Sequence, residues 1–173
     1  NETSLALAGE GARATLAAAY LLRDRQLCDN TSAIRHEAAS TRSRQVVKGI
    51  IDEQGRGVFQ GRIVVERQAQ KTDGHQLSKA LLLSDRAEID QKPALEIFAD
   101  DVKCSHGATA GQIDQQALFY LRSRGVGEEA ARAMLIAAFM GEVFEEISDE
   151  EARAILAAPV AAWFAREGDE KGS

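Results

Sequence analysis

A chain of 173 residues, 45% apolar and 28% charged, holds enough hydrophobic material for one sizeable domain or a domain with a small appendage. Its net charge of −6 and its lack of any basic block argue against phosphate-backbone binding, so no nucleic-acid partner is expected. No apolar run reaches the roughly 18–20 residues that span a bilayer, and residues 1–25 lack a basic stretch followed by an apolar core, so neither a membrane partner nor a signal peptide is expected. Cys28 and Cys104 stand 76 positions apart and make no disulfide framework and no CxxC pair, which favours a reducing, cytoplasmic setting.

Residues 1 to about 110 read as strands. Short apolar runs recur in SLALAG, TLAAAYLL, RQVVKGII, GRIVVE, KALLLS and ALEIFADDV. Gly, Asp, Asn and Ser separate them, as in DNTS, DEQGRG and KTDGH. The segment ARATLAAAYLLRDR at 12–25 has helical propensity but is assigned to a strand by its neighbours. Several runs are apolar almost throughout, and the one hairpin-type dipeptide is Asp73–Gly74. Both features favour a solenoid of stacked coils over a sheet of antiparallel hairpins. Arg42, Arg44 and Lys48 on one coil, and Arg62, Glu66 and Arg67 on another, are expected to face outward.

From about residue 112 the pattern changes to helices. Asp114 is the expected N-cap of QIDQQALFYLRSRG, with Leu118 and Leu121 inward, Arg122 and Arg124 in the last turn and Gly125 as the stop. A second helix follows in GEEAARAMLIAAFMGEVFEEI. Glu128 and Glu129 sit in its first turn, and Ala131, Leu135, Ala138 and Phe139 or Met140 form its apolar face. Ser148 with Glu151 gives a capping box for a third helix, which Pro159 is expected to kink or end near Ala158; the tail GDEKGS is expected to fray. The expected organisation is a β-solenoid over 1–111 and a helical domain over 112–173.

The chemistry-bearing segment is DDVKCSHGATAG, at 100–111. ALEIFADDVKCSHG reads as strand, where residues two apart share a face with Cα atoms roughly 6.5–7 Å apart. Cys104 and His106 then face the same way and can both reach a soft or borderline metal such as iron, zinc or copper(I). Two ligands are too few for a closed tetrahedral site, so the rest must come from another coil, another chain or the bound species. The plainer alternative is a space-filling cysteine beside a hydrogen-bonded histidine. Cys28 and His36 are given no role, and His75 is placed in a solvated turn. Asp100 and Asp101, adjacent on a strand, would face opposite ways. Glu88 and Asp90 could share a face, as the carboxylates of a polysaccharide-cleaving β-helix enzyme do, but only 5% of residues are aromatic and few platforms exist for stacking sugars. No phosphate loop, HExxH or GxSxG motif is present.

From Leu81 to about Ile147 the chain runs through SDRAEIDQKPALEIFADDVKCSHGAT, then QID, then LFYLRSRG. This ordered run resembles the C-terminal part of the SufB/SufD family, scaffold components of the SUF iron–sulfur cluster assembly system, and within it the SufD branch. The resemblance is strong over about 75–150 and weaker over 1–75. It implies a right-handed parallel β-helix followed by a helical domain, and a scaffold that is not an enzyme. It implies pairing with a SufB-type subunit through the solenoids and binding of a SufC-type ABC ATPase through the C-terminal region. No tightly bound cofactor is implied, only a transient iron–sulfur cluster in the full complex. The family's candidate cluster-assembly residues on the SufD side map onto Cys104 and His106, either as metal ligands or as groups that only shape the site. The helices either cap the solenoid or dock the ATPase, and Phe139, Phe144 and Trp163 would favour docking if uncovered. Family members are much longer, so the chain is expected to be a C-terminal fragment whose cut coil edge favours a homodimer. Two alternatives stand beside this expectation: a β-helix carbohydrate-active enzyme, and a self-contained Cys/His metal-binding protein.

Overall fold

A computed structural model describes residues 1–145, 147 and 149–170, with the side chains of all of these but 161 and 164–170. The chain divides into two compact units, Asn1–Ala110 and Gly111–Ser173. The first is a parallel β-solenoid. One sheet takes β1 (Glu2–Leu7), β3 (Leu27–His36), β5 (Arg56–Val65) and β7 (Glu88–Ile97), in that order. The other takes β2 (Arg13–Leu22), β4 (Arg42–Ile51), β6 (Asp73–Leu82) and β8 (Lys103–Gly111). Each coil contributes one strand to each sheet. Arg13, Arg42 and Asp73 stand in one column, so successive coils advance by 29 and then 31 residues.

This stacking explains the 12–25 segment. Its alanines and leucines pair residue for residue with β4, Ala17 beside Val46 and Leu21 beside Ile50, and that pairing outweighs helical propensity. Inward side chains stack from coil to coil. Leu7, Ile34, Ile63 and Val65 form one buried column, and Tyr20, Leu22, Val47, Ile51 and Phe59 form another. The corners repeat too. Gly11, Ser40 and Lys71 all adopt left-handed backbone at one corner, with φ of 72°, 60° and 60°. Only the first is the residue type that does so without steric cost.

Three details differ from expectation in this unit. Lys48 points the same way along β4 as exposed Arg42 and Arg44 yet has no exposed surface, and it is partnered there, as a buried ammonium must be. The run ALEIFADDVKCSHG is not one strand: β7 stops at Ile97 and β8 begins at Lys103, so ADDV turns a corner. His75 lies within β6 rather than in a turn. In keeping with the expected solenoid, Asp73–Gly74 makes no hairpin, because β6 pairs in parallel with β4 from Asp73 onward.

The second unit holds α1 (Gln115–Ser123), α2 (Glu128–Phe144) and α3 (Glu150–Glu170). Asp114 caps α1, its Oδ1 accepting from the backbone N–H groups of Gln116 (2.8 Å) and Ala117 (3.2 Å), and Gly125 follows at φ 88°. The buried face of α2 is Ala131, Ile136, Met140 and Val143: Ala131 and Met140 are as expected, but Leu135 is half-buried and Ala138 exposed, with Ile136 and Val143 buried instead. Ile136 and Val143 remove more apolar surface from water on burial than Ala138 would. The helix α3 runs on past Pro159 to Glu170. The expected cap Ser148, and residues 171–173 of the tail, lie outside the described residues; Asp149 Oδ1 accepts from Ala152 N–H at 2.7 Å.

Candidate functional site

Strand β8 is the last of its sheet and carries the Cys–His segment. Its register on β6 is pinned on the outer side. His75 Nδ1 lies 2.7 Å from Ser105 Oγ, and His75 Nε2 lies 2.7 Å from Asp73 Oδ1. In the neutral ring Nε2–H donates to Asp73 and Nδ1 accepts from Ser105. With Ser105 held outward beside His75, alternation turns Cys104 and His106 to the lumen side, beside Gly74 and Gln76. The expected shared face is therefore present.

The two side chains differ in setting. Cys104 is half-buried and packs against the Leu7–Ile34–Ile63 column. Burial pushes its thiol pKa up, opposed by a hydrogen bond from the Gly74 backbone, with Asp73 pushing it further up. A thiol held protonated is a weak nucleophile and must lose its proton to bind metal. His106 is exposed. Among the described residues no group of three or more His, Cys, Asp or Glu side chains is placed to hold a metal ion. Among the described residues, Cys104 and His106 are therefore not joined by the further ligands that a self-contained metal site would need.

The lumen behind them is polar. His36 is fully buried, its Nδ1 2.8 Å from Thr41 Oγ1 and its Nε2 2.9 Å from Ser43 Oγ. Thr41 spends its one hydroxyl proton on Ala38 O, so Nδ1–H donates to Thr41 and Nε2 accepts from Ser43. Burial lowers the pKa of this ring. A β-carbon at Gly74 would lie 3.5 Å from both His36 Nε2 and Cys104 Sγ, so both groups border Gly74. Beside it, Gln45 Nε2 donates to Ser32 Oγ and Gln76 Nε2 donates to Gln45 Oε1, each at 2.7 Å. Sequence reasoning missed both networks. The signal was the coil period, which places Gln45 and Gln76 31 residues apart at inward positions.

The remaining candidates fall elsewhere. Cys28 sits on β3, half-buried, with Asn30 Nδ2 3.3 Å from its sulfur. Glu88 and Asp90 do share a face of β7, but Arg56 binds both, at 3.8 and 2.7 Å. One arginine spanning the pair engages both carboxylates in ion pairs, which leaves neither free for the acid–base work of a glycosidase. Phe139, Phe144 and Trp163 are half-buried rather than uncovered. Among the described residues, the exposed large apolar side chains of the helices are instead Phe119, Tyr120, Met134, Ile155 and Leu156. No helix among the described residues is long and apolar enough to cross a membrane.

Comparison with known proteins agrees with the fold. The profile of the SUF system FeS cluster assembly SufBD core domain matches residues 1–139. The chain is 43% identical over 150 residues to the iron–sulfur cluster assembly protein SufD of Escherichia coli, covering 87% of this chain and 36% of that protein. It is 43% identical over 140 residues to a SufBD family iron–sulfur cluster assembly protein of Synechocystis, covering 80% and 30%. It is 46% identical over 112 residues to the chloroplastic protein ABCI7 of Arabidopsis thaliana, covering 64% and 24%. The chain thus spans about a third or less of the length of these relatives. With the core-domain profile covering the whole solenoid of four stacked coils and running on into the helices, the chain belongs to the SufBD family of SUF iron–sulfur cluster assembly proteins and is SufD-like within it.

Proposed function

We propose that the chain is a non-catalytic scaffold part of the SUF system. It pairs the edge of its last coil with a SufB-type solenoid subunit and docks a SufC-type ATPase through its helices. The iron–sulfur cluster is transient cargo, built where Cys104 and His106 meet groups of the partner. The observation that carries this reading is the placement of both residues on β8, the last strand of its sheet. An edge strand presents N–H and C=O groups that a partner's edge can complete, and such pairing would bring partner ligands beside the two residues. Two ligands from this chain leave the site open, as release of a cargo requires. The names of the E. coli and Synechocystis relatives support the same reading.

Docking of the ATPase is supported by Phe119, Tyr120, Met134, Ile155 and Leu156, exposed apolar side chains on the helical unit. Phe139, Phe144 and Trp163, half-buried, are the neighbouring candidates. Size-exclusion chromatography with light scattering tests it. The chain mixed with a SufC-type ATPase should elute as a complex, and Phe119→Ser with Leu156→Ser should weaken it. Separate elution of two folded proteins would refute docking on these helices.

A further inference from the structure

The buried amide ladder of the lumen ends on an unused acceptor. Gln76 is 2% exposed, and its Nε2 is committed to Gln45. Its Oε1 is fully buried and has no hydrogen-bond partner. The position is built for this amide: a β-carbon at Gly61 would lie 2.1 Å from Gln76 Nε2, so glycine on β5 makes the room. An acceptor buried without a donor is a costly arrangement that native interiors avoid. The His75–Ser105 bond sets the register, which makes Gln76 and His106 neighbours across β6 and β8. His106 is exposed and able to turn about its side-chain bonds.

We propose that Gln76 is a positioning residue for His106: its buried Oε1 accepts from one ring N–H and leaves the other ring nitrogen, unprotonated, turned toward the open edge of β8. A histidine that ligates metal commonly gives its second N–H to a carbonyl or carboxylate, which fixes its tautomer and ring orientation. Here the carbonyl comes from a side chain anchored two coils deep, through Gln45 to Ser32. The ladder fixes the donor nitrogen before any cargo arrives. This deepens the cluster-site reading of His106 and rests on it for its purpose, but the hydrogen bond itself is a property of the chain alone.

The test uses the chain without iron or partner. Nitrogen-15 histidine spectra at about pH 8.5, where imidazoles are neutral, report the tautomer and ring N–H of His106, assigned by loss of its signals in His106→Asn. The wild type should show one dominant tautomer and a ring N–H proton slow enough in exchange to be seen. Gln76→Met should lose that proton and mix the tautomers. Gln76→Glu, which keeps an acceptor oxygen, should retain it, and so should Gln45→Met, which disturbs the ladder but spares the acceptor. A wild-type His106 with no protected ring N–H would overturn the proposal, even if no variant folded. So would a signal unchanged in folded Gln76→Met. If the hydrogen bond is present but His106→Asn leaves cluster formation in the full complex intact, the cluster-site reading fails and the positioning of the ring stands.

Discussion

Gly61→Ala should damage the solenoid interior far more than a methyl group's size suggests. The new carbon would lie 2.1 Å from Gln76 Nε2, 2.6 Å from Phe59 Cζ and 2.7 Å from Gln76 Cδ. Phe59 is 1% exposed and cannot swing away, and Gln76 is tied to Gln45. Overpacking a well-filled core costs about 1–3 kcal/mol, and loss of the Gln76–Gln45 bond adds about 0.5–1.5 kcal/mol. A total of about 2–4 kcal/mol lowers the melting temperature of a unit of this size by roughly 8–15 °C. Gly9→Ala is the control, since a β-carbon there meets nothing within 4 Å. Its melting temperature should stay within about 2 °C of wild type, because exposed sites rarely move stability much. Thermal denaturation followed by circular dichroism reads both. A Gly61→Ala chain melting alongside wild type would refute the argument that Gly61 is present to seat the buried amide.

Burial lowers the His36 pKa in the fold, so the unfolded chain takes up this proton first as pH falls through about 6.5. The stability conferred by neutral His36 is complete above that value and is lost as pH falls toward the lower folded value; urea melts at pH 7.5 and 5.5 should therefore show a larger drop for wild type than for His36→Gln, and equal drops would contradict it. In a Cys28→Ser background, Cys104 should alkylate several-fold more slowly than free glutathione at pH 7.5, because burial keeps it a thiol. Labelling at or above the glutathione rate would show the site to be open and its pKa unshifted. Asp114→Ala removes the acceptor for two N–H groups of α1 and should cost about 1 kcal/mol, seen as an earlier melt of the helical signal. An unchanged melt would mean that α1 is held by packing alone.

Much of the solenoid was legible because its strands leave short apolar runs in the sequence with few hairpin-type turns between them. The apolar run RIVVE read as strand, and it is the buried end of β5, where Ile63, Val64 and Val65 are all buried after an alternating stretch with Arg56, Gln60 and Arg62 exposed. The caps of α1 were legible because capping is local chemistry of Asp114 and Gly125. Distant partners were not. Lys48 looked like its neighbours Arg42 and Arg44, and only tertiary packing separates a buried lysine from two exposed arginines. The corner at 98–102 was hidden because ADDV continues an apolar-polar pattern while the backbone turns. At the site, the shared face of Cys104 and His106 followed from strand alternation. The Asp73–His75–Ser105 relay and the Ser32–Gln45–Gln76 ladder did not, because each joins residues about one coil apart whose pairing depends on the register.

Hydrogen exchange measured by mass spectrometry on this chain, alone and with a SufB-type subunit, tests the proposed pairing most directly. Those amides of β8, Lys103–Gly111, that point away from β6 should exchange freely in the chain alone and gain strong protection in the mixture, while β4 and β5 in the middle of the sheets stay unchanged. Protection confined to other surfaces, or none at all in a mixture that forms a complex, would contradict pairing through the last coil and would remove Cys104 and His106 from the interface.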